Sequence, residues 1–152
     1  IGLDLSVKML ARANINRREE NRSPGQLSLL RADASYLPLA DRRVDAVTGH
    51  SFLYLLPNYH PVLSEVNRVL KNGGHAAFLE PFAGRPDWSW LVRQGSIRLL
   101  VSVALWRFYS GLHRRFSAQS LHRALEEAGF YNVTTKATLG GFGLYGWAQK
   151  QV

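Results

Sequence analysis

Short apolar runs and amphipathic stretches alternate along the first half of the chain. Ile1-Gly2-Leu3-Asp4-Leu5 reads as the end of a buried strand closed by an acid. Ser6 can cap a helix whose stripe is Met9, Leu10 and Ala13, fading near Asn21. Ser23-Pro24-Gly25 predicts a turn, and Leu27 to Ala32 a buried strand ending at Asp33. A loop containing Pro38 then leads to a strand over Val44 to Gly49. Pro57 and Asn58 open a helix through Leu70, with Val62, Leu63, Val66, Val69 and Leu70 on one face. Asn72-Gly73-Gly74 stops that helix with left-handed backbone, and His75 to Leu79 forms a strand ended by Glu80-Pro81.

The second half changes character. Trp88 to Tyr109 is one long helical stretch with a break at Gly95. Ser117 caps a helix over 118–128 that Gly129 closes. Val133 to Leu139 alternates as a strand, Gly140-Gly141-Phe142-Gly143 turns, and Leu144 to Lys150 returns. Alternating strands and helices predict a doubly wound, mostly parallel α/β sheet with a C-terminal antiparallel hairpin. The chain reads as one domain over 1–152, carrying a helical insertion at about 85–115.

Composition adds three constraints. At 46% hydrophobic and 20% charged the chain is a globular protein. It has no cysteine, which excludes disulfides and thiolate metal sites and fits a cytoplasmic setting. The only methionine is Met9, so Ile1 is no initiator and the sequence reads as part of a longer chain. The net charge of +8 is concentrated: residues 85–123 hold seven arginines against Asp87 alone. No nucleic-acid motif accompanies that charge, so a solvated surface, an anionic substrate or contact with an anionic membrane remain. The apolar run of the insertion is too short to span a bilayer, which needs ~20 residues. Arg98 and Arg107 fall on opposite sides of its helix, against a continuous basic stripe.

Candidate chemistry gathers at strand ends. Asp4, Asp33 and His50 all sit at the carboxyl edge of the predicted sheet, where ligands of open α/β sheets bind. An ionised carboxylate only accepts hydrogen bonds, so two of them suit ribose hydroxyls and an exocyclic amine and repel phosphate. Each acid also reads as a turn former or helix cap. Glu80 ends a strand on the same edge, as a solvated terminus or an acceptor-site group. Of the other histidines, His75 and His122 read as structural, His60 as a surface residue, and His113, beside Arg114-Arg115, as one facing a pocket. No paired ligand spacing supports a metal, and no Gly-x-Ser-x-Gly elbow supports a hydrolase. A nicotinamide-binding oxidoreductase and a non-catalytic partner-binding fragment remain as alternatives.

A series of motifs then resembles a known family. Gly2-Leu3-Asp4-Leu5-Ser6 with Met9-Leu10-Ala13, Arg31-Ala32-Asp33-Ala34 with Leu37-Pro38-Leu39, Val44-Asp45-Ala46-Val47 and Val69-Leu70-Lys71-Asn72-Gly73-Gly74 follow in order. Phe116-Ser117 and Leu125-Glu126-Glu127-Ala128-Gly129-Phe130 complete the series. Together they resemble the class I S-adenosylmethionine-dependent methyltransferases, in the small-molecule branch that includes quinone-biosynthesis C-methyltransferases. The resemblance implies a Rossmann-like fold whose first strand and Gly-rich loop are not in this sequence. It implies S-adenosyl-L-methionine as cofactor and a small acceptor, and the aromatic and branched residues of the insertion, read as a lid over that acceptor, point to a hydrophobic one. Asp4 would hold the ribose, with Leu5 and Met9 against the adenine. Asp33 would accept from its amino group and the Ala34 backbone would meet the ring. His50 would lie on the cofactor side, with Phe52, Glu80 and His113 around the acceptor. Without the Gly-rich loop, the chain alone is expected to bind the cofactor weakly and to be inactive.

Overall fold

The computed structural model describes residues 1–19 and 27–152. The turn expected at Ser23-Pro24-Gly25 lies outside the described residues. Two sheets form. Strands β1 (Gly2–Asp4) and β2 (Leu29–Arg31) pair in parallel, with α1 (Val7–Glu19) between them in sequence. The second sheet has the order β3-β4-β6-β5. β3 (Val44–His50) and β4 (Leu70–Pro81) are parallel. The hairpin of β5 (Phe130–Thr138) and β6 (Gly143–Lys150) adds antiparallel to β4. Among the described residues, the far edges of β1 and β3 carry no strand partner.

The core lies on one face of the larger sheet. The helices α2 (His60–Val69) and α5 (Ala118–Glu127) bring Val62, Leu63, Val66, Leu121, Ala124 and Leu125 onto Ala76, Phe78, Leu144 and Ala148. Both helices are amphipathic at a 3.6-residue period, and this burial is what makes them stable. The Ser117 side chain accepts from the Ser120 amide while Ser120 Oγ accepts from the Ser117 amide, a reciprocal cap. Gly129 supplies the expected left-handed turn after α5, with φ +85°.

Three expectations change. First, α2 stops at Val69, and Leu70 already has extended backbone and begins β4. The Asn72-Gly73-Gly74 run is not a helix cap. It lies inside β4, where the register with β3 slips between Val44 and Ala46. Gly73 has φ +74°, and a Cβ on Gly74 would lie 2.9 Å from the Lys71 carbonyl oxygen. Glycine serves a bulge and a helix end through the same conformational freedom. Second, α1 contains no buried residue, and Met9 is 55% exposed; β1 and β2 are likewise half-exposed rather than buried. Third, Phe142 sits in the expected turn yet is only 1% exposed, because the Trp88 ring packs edge-on against it at 4.9 Å.

Between β4 and α5 the chain makes an excursion. It contains α3 (Trp88–Arg93) and α4 (Ile97–Leu112), broken at Gly95 (φ +66°) as the sequence predicts. Its two ends are tied together. The Phe116 amide donates to the Pro81 carbonyl at 2.9 Å, and the Ala83 amide to the Phe116 carbonyl at 2.8 Å. Arg107 turns inward and donates to the carbonyls of Phe82 and Gly84, while Arg115 donates to the Arg107 carbonyl and to Ser110 Oγ. Among the described residues, no helix is long and apolar enough to cross a membrane.

Candidate functional site

The parallel register sets Asp4 beside Arg31, so the carboxyl ends of β1 and β2 are neighbours, and the Ala32 amide donates to the Asp4 carbonyl. Each strand-end acid organises the backbone after it. Asp4 Oδ1 accepts from the Ser6 amide at 2.7 Å, and Ser6 Oγ in turn meets the Met9 amide at the start of α1. Asp33 Oδ1 accepts from both the hydroxyl and the amide of Ser35, at 2.7 and 2.8 Å. The Ser35 hydroxyl, then its amide, hold the Asp33 carboxyl below the usual carboxylate range. The turn-former reading of the two acids therefore holds in the geometry. It leaves Oδ2 of each outside these bonds. Leu5 and Met9 lie exposed beside this edge, and Ala34 packs against the core.

The loop that follows Asp33 is held by Arg68 on α2. Its guanidinium donates to the carbonyls of Leu37 and Leu39 and to the carboxylates of Asp41 and Glu65. Glu65 Oε2 accepts from the Leu37 amide, and the pairing with Arg68 keeps the Glu65 carboxyl ionised to lower pH than usual. Sequence reasoning missed this clamp, since 31 residues separate Arg68 from Leu37. Arg68→Ala is expected to cost about 2 kcal/mol in urea unfolding, because two carbonyls and a part-buried carboxylate lose a charged donor together. A change below 0.5 kcal/mol would show that water replaces the clamp.

A second cluster forms where β3 ends against β4. His50 is exposed and lies stacked near Trp106, with ring centroids 6.4 Å apart. Ser51 adopts φ +54°, uncommon for a residue with a side chain, and its amide donates to the Leu79 carbonyl. The chain then turns through Phe52, Leu53 and Tyr54, whose amides donate to the Glu80 carboxylate at 3.2, 3.1 and 3.2 Å. Glu80 is 0% exposed, so it is neither a solvated strand end nor open to an acceptor; it anchors the loop. Burial pushes its carboxyl up to about 7, against the three amides that favour the charged form. Burial, then the nearby Glu80 charge, raise the Tyr54 hydroxyl.

Phe52 packs toward Phe78, and Tyr54 meets the His113 ring edge-on at 6.1 Å. A hollow of about 190 Å³ lies there, lined by Tyr54, Leu55, Leu56, Pro57, His113 and Arg114. The structure thus joins Phe52, Glu80 and His113 through Tyr54, which the sequence did not single out. A larger hollow of about 410 Å³ lies along α1 and β2 and includes neither strand-end carboxylate. His60 is half-exposed with Nδ1 4.0 Å from Glu127, His75 stacks on Trp147, and His122 faces Glu126. Near the end of β3, Ser51 Oγ and Trp106 Nε1 are buried and have no hydrogen-bond partner among the described residues. Buried polar atoms without a protein partner suit a ligand that supplies the missing hydrogen bonds. Among the described residues, no group of three His, Asp or Glu side chains is placed to hold a metal.

A parallel pair of strands with an acid at or just after each carboxyl end, beside a larger sheet that finishes in an antiparallel hairpin, is a Rossmann-like α/β architecture. The fold is shared with solved structures. An S-adenosylmethionine-dependent methyltransferase from Thermotoga maritima superposes with a TM-score of 0.66 at 20% identity, covering 99% of this chain and 73% of that one. The [4+2]-cyclase SpnF superposes with a TM-score of 0.70 at 18% identity, covering 99% of this chain and 65% of that one. A cyclase on this fold illustrates that architecture alone does not name a reaction. Residues 1–78 match the methyltransferase domain family, and the chain belongs to that family. It is 33% identical over 150 residues to the demethylmenaquinone methyltransferase of Lactobacillus johnsonii, covering 92% of this chain. The chain spans 61% of the length of that relative.

Proposed function

We propose that the chain belongs to an enzyme that transfers a methyl group from S-adenosyl-L-methionine to a small, apolar acceptor. The observation that carries the reading is the pair of acceptor-only carboxylates at adjacent parallel strand ends, in a chain of the methyltransferase domain family. Bound there, S-adenosylmethionine would supply a methyl group already activated by a sulfonium. Asp4 accepts from the ribose hydroxyls, and Leu5 and Met9 cover the adenine. Asp33 accepts from the adenine amine, and the Ala34 backbone meets the ring. His50 faces the donor side, while Phe52 and His113 border the acceptor and Glu80 holds the loop between them. Such a transfer asks the protein for alignment and exclusion of water rather than covalent work. The excursion at about 85–115 serves as an insertion that covers the acceptor. Its aromatic and branched residues, and the likeness to a quinone-type methyltransferase, favour a hydrophobic acceptor over a hydrophilic one. A cytoplasmic setting belongs to the same reading.

Amide chemical shifts test it, because they register weak binding. Titration with S-adenosylmethionine is expected to move the amides of Leu5, Ser6, Ala34 and Ser35, and NAD is expected not to. Asp33→Ala should weaken the response about tenfold, the value of one charge-assisted hydrogen bond. Shifts that localise elsewhere, or that NAD reproduces, would overturn the proposal.

A further inference from the structure

Among the described residues, the outer face of α4 has no protein against it. Ile97, Val101, Leu105, Phe108 and Leu112 recur at spacings of four and three, which places them on one stripe of the helix. All five are exposed, Ile97 by 82% and Phe108 and Leu112 by 65% each. Leu100, Val103, Ala104, Trp106 and Arg107 turn toward the body, and Ser110 is buried. A five-residue apolar stripe on one helix is more than scattered surface hydrophobicity.

The flanks say what covers it. Arg98 lies at the border of the stripe, and Tyr109 (58% exposed) and Trp88 (49% exposed) are amphipathic aromatics nearby in the chain. α4 carries no acid, and Asp87 is the only one between residues 85 and 123. Arg107, opposite Arg98, is committed to the Phe82 and Gly84 carbonyls, so it does not interrupt the outer face. Arg85 and Arg98 remain exposed, and Arg93 is exposed while paired with Asp87. A second copy of the chain would bring its own charge of +8 against these arginines. At 16 residues the helix suits lying in an interface rather than crossing it.

We infer that the outer face of α4 docks on an anionic lipid surface, with the apolar stripe inserted and the arginines at the headgroups. The inference goes beyond the proposed methyl transfer. Co-sedimentation with vesicles tests it, using phosphatidylcholine alone and phosphatidylcholine with phosphatidylglycerol, without acceptor or cofactor. Binding is expected to the anionic vesicles and to fall with added salt. The double substitution Leu105→Glu with Phe108→Glu should weaken it at least tenfold, and Arg98→Glu should weaken it several-fold. Both apolar positions are exposed, so the fold should persist. Absence of binding by the parent chain, or equal binding by the double variant, overturns the inference. So does sedimentation equilibrium in which the substitutions dissolve a dimer and leave vesicle binding unchanged. Running the S-adenosylmethionine titration on the same variant separates the two proposals, since amide shifts kept while vesicle binding is lost leave both standing. Shifts present without any vesicle binding remove only this one.

Discussion

Glu80→Ala is expected to remove about 3–5 kcal/mol from the unfolding free energy. The substitution strands the amides of Phe52, Leu53 and Tyr54 in a buried turn, and each unsatisfied buried donor costs roughly 1–3 kcal/mol. The carboxyl itself makes the effect depend on pH. Its folded-state pKa of about 7 stands above the ordinary 4.5, so the folded chain holds the proton more tightly than the unfolded one. Stability from this group is therefore complete below about pH 4.5 and declines as pH rises toward 7, by about 3 kcal/mol in all. Glu80→Gln, which cannot ionise, should show no such decline between pH 5 and 8. Urea titrations of both proteins across that range check it. Parallel profiles for wild type and Glu80→Gln would mean that the three amides, not burial, govern the carboxyl.

Phe78→Ala is expected to cost about 3–5 kcal/mol, the range for emptying a buried aromatic site. Phe78 is 1% exposed, and its register partners are glycine on both sides, Gly49 on β3 and Gly146 on β6. Neither can move to fill the space. A Cβ on Gly49 would lie 2.9 Å from the Phe78 ring, and one on Gly146 2.7 Å from Leu121. The two glycines exist to admit neighbouring side chains over the sheet. Gly49→Ala should consequently cost about 1–3 kcal/mol from overpacking, through Phe52 as well as Phe78. Thermal or urea unfolding of the two variants measures both, and a Phe78→Ala loss under 1 kcal/mol would mean the sheet collapses around the void.

What was legible in the sequence was local. Ser117 and Gly129 announce the limits of α5 because a cap and a left-handed turn are made by the residues themselves. The amphipathic face of α2 is readable because Val62, Leu63, Val66 and Val69 repeat at the helical period. The glycines at 73 and 74 misled, since the same freedom serves a helix end and a strand bulge. The stripe of α1 told which face is apolar, but not how much of it the fold covers. Glu80 could not be read as buried, because its partners lie 26 to 28 residues away and depend on the β3–β4 register. The strand-end positions of Asp4 and Asp33 were legible from the acid after each apolar run. The role of Tyr54 in joining Phe52 to His113 was not, because it needs His113, at the end of α4, to arrive from 59 residues downstream.

The stem formed by Pro81, Ala83 and Phe116 bears on how such a domain diversifies. Because main-chain bonds fasten both ends of the excursion, whatever lies between them enters the domain as a closed ring with fixed attachment points. Doubling the length of such a ring costs only about 0.6 kcal/mol of closure entropy. The span between Ala83 and Phe116 can thus be exchanged as a cassette, altering what the protein touches while the larger sheet keeps its register.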